Sequence, residues 1–201
     1  MLMNKFSKFK YEAGVDEAGR GSLAGPLTAA AVILKEGFKN SELNDSKILS
    51  VKKRIELRGL IEKNALAYSI AFVHSSYIDK HNILNSTFKA MHKALESLSI
   101  RPDFILVDGN LFKPFKTIKF QCIIKGDQKY QNIAAASILA KTYRDDYMEK
   151  LNSKFPKYNW INNKGYGTKF HIDMINKYGK TSYHRKSFQI KSNQQSIIFN
   201  P

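Results

Sequence analysis

The 201-residue sequence predicts an α/β fold: a mixed five-stranded sheet with helices packed on it. Three observations carry this. Apolar runs at 11–17 and 26–34 lie close enough to pair as an antiparallel hairpin. Residues 104–107 are short and wholly apolar, as in a strand buried on both faces in a parallel position. Strand-like and helix-like periods alternate in the order strand, strand, helix, strand, helix, strand, strand, helix, helix.

The elements follow from local pattern. Residues 11–17 form the first strand and run into Asp16, Glu17 and a Gly-Arg-Gly turn. Residues 26–34 form the second, and the polar stretch 36–47 reads as loop. Ser50 supplies an N-cap for a helix over 51–64, with Val51, Ile55, Leu60 and Ile61 placed inward. Leu66, Tyr68, Ile70 and Phe72 alternate with Ala67, Ser69 and Ala71, the period of a strand. Leu84, Phe88, Met91, Leu95 and Leu98 recur at helical spacing within 76–98, and Arg101-Pro102 breaks that helix. Strands follow at 104–107 and 118–124. Cys122 falls in step with Ile118, Phe120 and Ile124 and is expected in the core, not as a nucleophile. A long helix over 130–151 begins rich in alanine, so something packs close to it. Thr168 caps a last helix ending at 178. One domain is expected over 1–188, with a loose tail over 189–201.

Composition narrows the partners. There are 33 Lys and Arg against 17 Asp and Glu, a net charge of +16. That excess implies a polyanionic partner. A membrane surface is the rival, but no basic amphipathic segment stands out, and the longest apolar run, 29–34, is too short to span a bilayer. The first residues lack the apolar block of a signal peptide. A single cysteine excludes an internal disulfide and fits the reducing cytoplasm. The five histidines lack zinc-site spacing.

Acids are scarce, so their placement matters. Asp16 closes one strand, Asp108 another, and Asp127 follows a third. Ligands of open α/β sheets sit outside the carboxyl ends of strands. Read alone, Asp108-Gly109 is a turn signal, Gly126-Asp127 is equally weak, and Asp16-Glu17 beside Arg20 is a surface turn with a local Asp–Arg pair. Together, Asp16, Glu17, Asp108 and Asp127 supply hard oxygen ligands of the kind Mg²⁺ or Mn²⁺ takes. Neighbouring strand residues point to opposite faces, so Asp16 and Glu17 serve one point only where the strand ends. Gly19 and Gly21 mark such an end and leave the backbone approachable. Arg20 between them is a fork-shaped donor suited to phosphate. Carboxylates in a cationic chain, beside a phosphate-seeking arginine, point to a metal-dependent nuclease.

These residues also carry a resemblance. Gly14-Val15-Asp16-Glu17-Ala18-Gly19-Arg20-Gly21 with Ala24-Gly25-Pro26, then Asn44-Asp45-Ser46-Lys47, Val107-Asp108-Gly109-Asn110 and Lys125-Gly126-Asp127 are followed by three more blocks. Those are Ile133-Ala134-Ala135-Ala136-Ser137-Ile138-Leu139-Ala140-Lys141 with Arg144-Asp145, Gly165-Tyr166-Gly167-Thr168, and His184-Arg185-Lys186-Ser187-Phe188. In this order the chain resembles the bacterial ribonuclease HII family from about residue 11 to 188. The resemblance implies the ribonuclease H-like fold with extra C-terminal helices. It implies hydrolysis of the RNA strand of RNA–DNA hybrids and cutting 5′ to single ribonucleotides embedded in duplex DNA. It implies that Asp16, Glu17, Asp108 and Asp127 bind Mg²⁺ or Mn²⁺ and that Gly19, Arg20 and Gly21 sense the 2′-hydroxyl. Tyr166 matches the tyrosine that stacks on the following sugar, and Lys47, Ser137 and Lys141 fall where the family contacts or frames phosphates. A monomer is expected.

Blander readings stand beside these. Tyr166 between glycines is also an ordinary exposed loop aromatic, and Ser137 in an alanine-rich helix is a small packing residue. Asp145 and Asp146 are expected to face solvent or pair with Arg144. Tyr143 and Tyr147 belong to the core or a groove edge. His171 is structural, or near enough to Tyr166 to touch a phosphate. At the level of function, the rivals are a nucleic-acid-binding module without catalysis and a DNA resolvase or transposase of similar fold. Carboxylates repel phosphate unless a cation bridges them, which disfavours the first. The glycine-rich turns favour a ribose sensor over the second.

Overall fold

The computed structural model describes residues 2–190. Its centre is β1 (Glu12–Ala18), which pairs antiparallel with β2 (Leu27–Leu34). Outside β2, β3 (Ala65–Val73) is also antiparallel. On the other side of β1 lie β4 (Phe104–Asp108) and β5 (Lys119–Ile123), both parallel. The five-stranded order is β3-β2-β1-β4-β5. The helices are α1 (Val51–Asn64), α2 (Ser75–Glu96), α3 (Gln131–Lys154), a short α4 (Trp160–Asn163) and α5 (Lys169–Tyr178). The expected five strands and the mixed sheet are all present. So are both N-caps: Ser50 Oγ accepts from the Lys53 amide, and Thr168 Oγ1 accepts from the His171 amide.

Strand alternation sorts the sheet into two faces. Ala13, Val15, Ala29, Ala31, Ile33, Ile105 and Val107 join α2 residues Ile78, Met91 and Leu95 in one core. Ala30 and Val32 join Leu57 and Ile61 of α1 and the alanine-rich start of α3 in another. That start explains itself at Gly14, where an added Cβ would lie 2.2 Å from the carbonyl carbon of Asn132. α3 therefore presses on the backbone of β1. Under α2 the approach is also close, because Ala67, Ser69 and Ala71 are the buried side of β3 and Ser69 Oγ donates to the Ala94 carbonyl.

Several expectations need correction. In α1 the buried positions are Arg54, Leu57 and Ile61, whereas Val51 and Ile55 are 61% and 60% exposed. The helix is turned by Arg54, whose Nη1 donates to the carbonyls of Ser46 and Leu49. A buried arginine cannot be read from apolar spacing. The helix over 76–98 is interrupted at Asn82 (φ 61°, ψ 168°), and Leu84 sits at the surface just after the break. Cys122 is only half buried, because β5 is an edge strand, and Ile124 lies exposed beyond its end. β1 runs two residues past Asp16. Of the expected tail over 189–201, residues 191–201 lie outside the described residues.

Candidate active site

Sheet register brings the acids together. Val15 pairs with Val107, so Asp16 and Asp108 are the next residues along two neighbouring parallel strands. β5 is followed by a 3₁₀ turn, Gly126–Gln128, whose Gly126 amide donates to Asp108 Oδ1 at 2.7 Å. That bond carries Asp127 to the end of β4. Glu17 stays on the paired strand, yet Asp108 acts electrostatically on it as well as on Asp16 and Asp127. Asp108 is thus the common neighbour of the other three.

Burial and charge crowding show in the titration of Asp16, Glu17 and Asp127. Burial first, then Glu17 and Asp108, raise the Asp16 carboxyl well above its ordinary value, against hydrogen bonds from Ser137 and the Glu17 amide. Burial also raises Glu17, with Arg20 opposing and Asp108 adding to it. Asp127 is pushed up to about 6 by burial, then by Asp108 and Asp45. Partial desolvation works against the Lys47 ammonium, but Asp45, Asp16, Asp127 and Asp108 outweigh it and hold Lys47 above the usual lysine value.

Among the described residues, no three Asp, Glu, His or Cys side chains are drawn together closely enough to hold an ion as they stand. The donor set nonetheless fits a hard divalent cation. Its oxygens are carboxylate oxygens, and three of the four groups are destabilised in the charged form that such a cation stabilises.

Around the acids lies a cleft of about 610 Å³ lined by Glu17, Arg20, Lys47, Ser137, Lys141 and Tyr166, together with Gly19 and Gly21. Asp16, Asp108 and Asp127 do not line it, and Asp16 is only 5% exposed. Arg20 is half exposed and pairs with Glu17 at 3.4 Å, so the expected Asp–Arg pair is corrected to a Glu–Arg pair. Ser137 is buried at hydrogen-bond distance from Ser46, 3.0 Å between hydroxyls. Lys141 pairs with Asp145 at 2.8 Å, and Arg54 approaches the same carboxylate at 3.9 Å. Asp146 pairs with Arg58 at 2.6 Å. Pairing of these two acids with Arg144 is therefore corrected. Tyr143 lies under the Arg58 guanidinium, and Tyr147 packs against Phe72.

Arg144 and Arg185 are the residues that sequence reasoning missed. Both are fully buried. Arg144 donates to the carbonyls of Pro26, Ala24 and Lys164 and to Ser22 Oγ. Its guanidinium also lies 5.3 Å from the centre of the Tyr166 ring. Arg185 donates to the carbonyls of Arg20 and Gly25. Gly19 takes φ 90°, and an added Cβ would lie 2.1 Å from Arg144 Nε; Gly21 does not adopt a positive φ. The amides of Leu23 and Ala24 donate to the Gly165 carbonyl. The turn after β1 and the loop bearing Tyr166 are thereby stitched into one piece. His171 is fully buried, which corrects the reading of it as a phosphate contact. The signal for Arg185 lay in its motif block, but nothing in its spacing separates a buried arginine from a surface one.

Known proteins place the chain. The sequence model for the family described as Ribonuclease HII matches residues 13–191. Ribonuclease HII of Christiangramia forsetii is 59% identical over 98% of this chain and all of that protein. Ribonuclease HII of Parabacteroides distasonis is 53% identical over 99% of this chain and all of that protein. Among solved structures, the ribonuclease H2 of Pyrococcus horikoshii OT3 is 28% identical with a TM-score of 0.74, covering 87% of this chain and 92% of that one. Identity at this level over nearly the whole length, on the same fold, means that the chain belongs to the ribonuclease HII family.

Proposed function

We infer that this protein is a metal-dependent ribonuclease H. It hydrolyses the RNA strand of RNA–DNA hybrids and cuts 5′ to single ribonucleotides embedded in duplex DNA, leaving 5′-phosphate and 3′-hydroxyl ends. The observation that carries this reading is the gathering of Asp16, Glu17 and Asp127 around Asp108 in a chain of net charge +16. Asp16, Glu17, Asp108 and Asp127 would hold Mg²⁺ or Mn²⁺. Bound there, the ion supplies an activated water and neutralises charge developing on the leaving oxygen.

The chain's own groups do the rest. Ser137, fixed by Ser46, orients the Asp16 carboxylate. Arg20 and Lys47 have exposed cationic ends beside the acids and take the phosphates that flank the cut. Lys141, held by Asp145, contributes a more fully compensated charge. Main-chain groups of Gly19, Arg20 and Gly21 hydrogen-bond the 2′-hydroxyl, which both donates and accepts and which DNA lacks. Tyr166 packs on the next sugar, where a deoxyribose leaves room for the ring. The protein acts as a monomer, and the cytoplasm suits its free Cys122.

Asp16→Asn and Asp108→Asn test this. Each removes one ligand charge, worth about 100-fold in rate if it costs roughly 2.7 kcal/mol of transition-state stabilisation, and circular dichroism should stay unchanged. Undiminished cleavage in excess chelator, or parental rates for both variants, overturns the reading.

A further inference from the structure

Behind Tyr166 lies a buried relay of two histidines that the chemistry does not use. Trp160 Nε1, which only donates, lies 3.0 Å from His171 Nε2. His171 Nε2 must therefore accept, and the ring's proton sits on Nδ1, which is 2.9 Å from the Tyr166 carbonyl oxygen. The amide of Thr181, also only a donor, lies 2.9 Å from His184 Nδ1. That fixes the His184 proton on Nε2, which lies 3.2 Å from His171 Nε2. Both tautomers are fixed by their neighbours, and the one lone pair of His171 Nε2 is shared by the N–H groups of Trp160 and His184. The relay runs in one direction, from the Thr181 amide through His184 and His171 to the main chain of Tyr166.

The surroundings make this relay stiff. His171 and His184 are at most 1% exposed, and Trp160 is wholly buried against them. The strand-like bridge between Ala24 and His184 ties the relay's far end to the segment that follows the Gly-Arg-Gly turn. The next residue, Arg185, reaches the Arg20 carbonyl itself. The two ends of the segment 166–185 thus touch the two elements that would read the sugar and the 2′-hydroxyl.

We propose that His171 and His184 are positioning residues that fix the height of Tyr166 over the cleft relative to the Gly19–Gly21 turn, and so set the preference for an RNA-to-DNA junction. The proposal rests on the reading of Tyr166 as the sugar-packing residue. Neither histidine touches substrate. Their effect passes through the Tyr166 carbonyl, which also accepts from the Thr168 amide at 2.9 Å.

The test uses the full-length protein with a duplex bearing one ribonucleotide and a long RNA–DNA hybrid. In His184→Gln, the amide nitrogen takes the place of Nε2 and still donates to His171. In His184→Asn, the side chain serves Thr181 but falls short of His171. His184→Asn should lower kcat on the single-ribonucleotide duplex about tenfold while KM moves less than about twofold, and the long hybrid should be affected less. His184→Gln should restore the rate, and His184→Asn should add nothing in a Tyr166→Ala background. Parental cutting by His184→Asn, or a loss that persists undiminished without the tyrosine ring, overturns the relay. Parental cutting by Tyr166→Ala overturns the sugar-packing reading and the relay with it. Histidine ring ¹⁵N shifts of the unmodified protein give a check that needs no variant: His171 should be protonated at Nδ1 and His184 at Nε2. The opposite tautomers would contradict the proposal.

Discussion

Arg185 Nη1 donates to the carbonyl oxygen of Arg20 across 2.7 Å, joining a residue near the end of the described chain to the turn after β1. The same guanidinium serves the Gly25 carbonyl through Nε and Nη2 at 3.3 and 3.1 Å. Burial and the neighbouring Arg144 lower its affinity for the proton. The protein accepts this cost because one planar fork satisfies two carbonyls that a folded loop leaves inward.

Arg185→Lys keeps the charge but loses the fork. A buried acceptor left unpaired costs about 1–3 kcal/mol. Thermal unfolding should show a loss of that size. Cleavage of a single-ribonucleotide duplex should fall further than the stability change explains, because the Arg20 carbonyl is released.

Gly19→Ala should be worse than Gly179→Ala, although both glycines have positive φ. An added Cβ at Gly179 meets nothing within 4 Å, so it costs only the backbone conformation there, φ 78° with ψ −179°, about 1–3 kcal/mol. At Gly19 the Cβ would also strike Arg144, whose Nε is held at 2.9 Å by the Pro26 carbonyl. Denaturant unfolding of the two variants compares them directly. Equal losses would mean that Arg144 moves aside freely.

The histidine relay predicts acid sensitivity. Burial, then His171 and Lys180, push His184 down to about 4, and burial lowers His171. Lys180 is the cation facing His184, and the rings of Tyr158 and Trp160 complete its packing. The unfolded chain binds protons on both rings near pH 6.5, whereas the folded one does not. Stability from this source is full above about pH 6.5 and falls as pH drops toward 4. The melting temperature should decline over that window by about 2–4 °C per kcal/mol lost. His184→Gln should flatten the decline.

Binding should weaken steeply with salt. Each phosphate contact contributes about 0.9 to the slope of log affinity against log salt. Lys47→Ala should reduce the slope by about that amount. Lys141→Ala should reduce it less, since Asp145 already compensates Lys141 at 2.8 Å. Titration of a labelled hybrid at several salt concentrations checks both.

The acids were legible because they are few and fall at strand ends, and the parallel register of β1 and β4 turns that placement into adjacency. Ser50 and Thr168 were legible because a cap is a local device. The inner face of α1 was not, because Arg54 is buried by its bonds to loop carbonyls and not by apolarity. The same reason hid Arg144 and Arg185. The break at Asn82 has no proline or glycine to announce it. His171 and His184 become a relay only once α4, α5 and the loop before residue 184 have folded against one another.

Four carboxylates that would hold the cation stand beside a turn that would read one ribose. The most direct test is an end-labelled DNA duplex carrying a single ribonucleotide, incubated with the protein and Mg²⁺, with both product ends identified. One cut is expected, on the 5′ side of the ribonucleotide, leaving a 3′-hydroxyl and a 5′-phosphate. A 2′,3′-cyclic phosphate, or cutting indifferent to where the ribonucleotide stands, would contradict it.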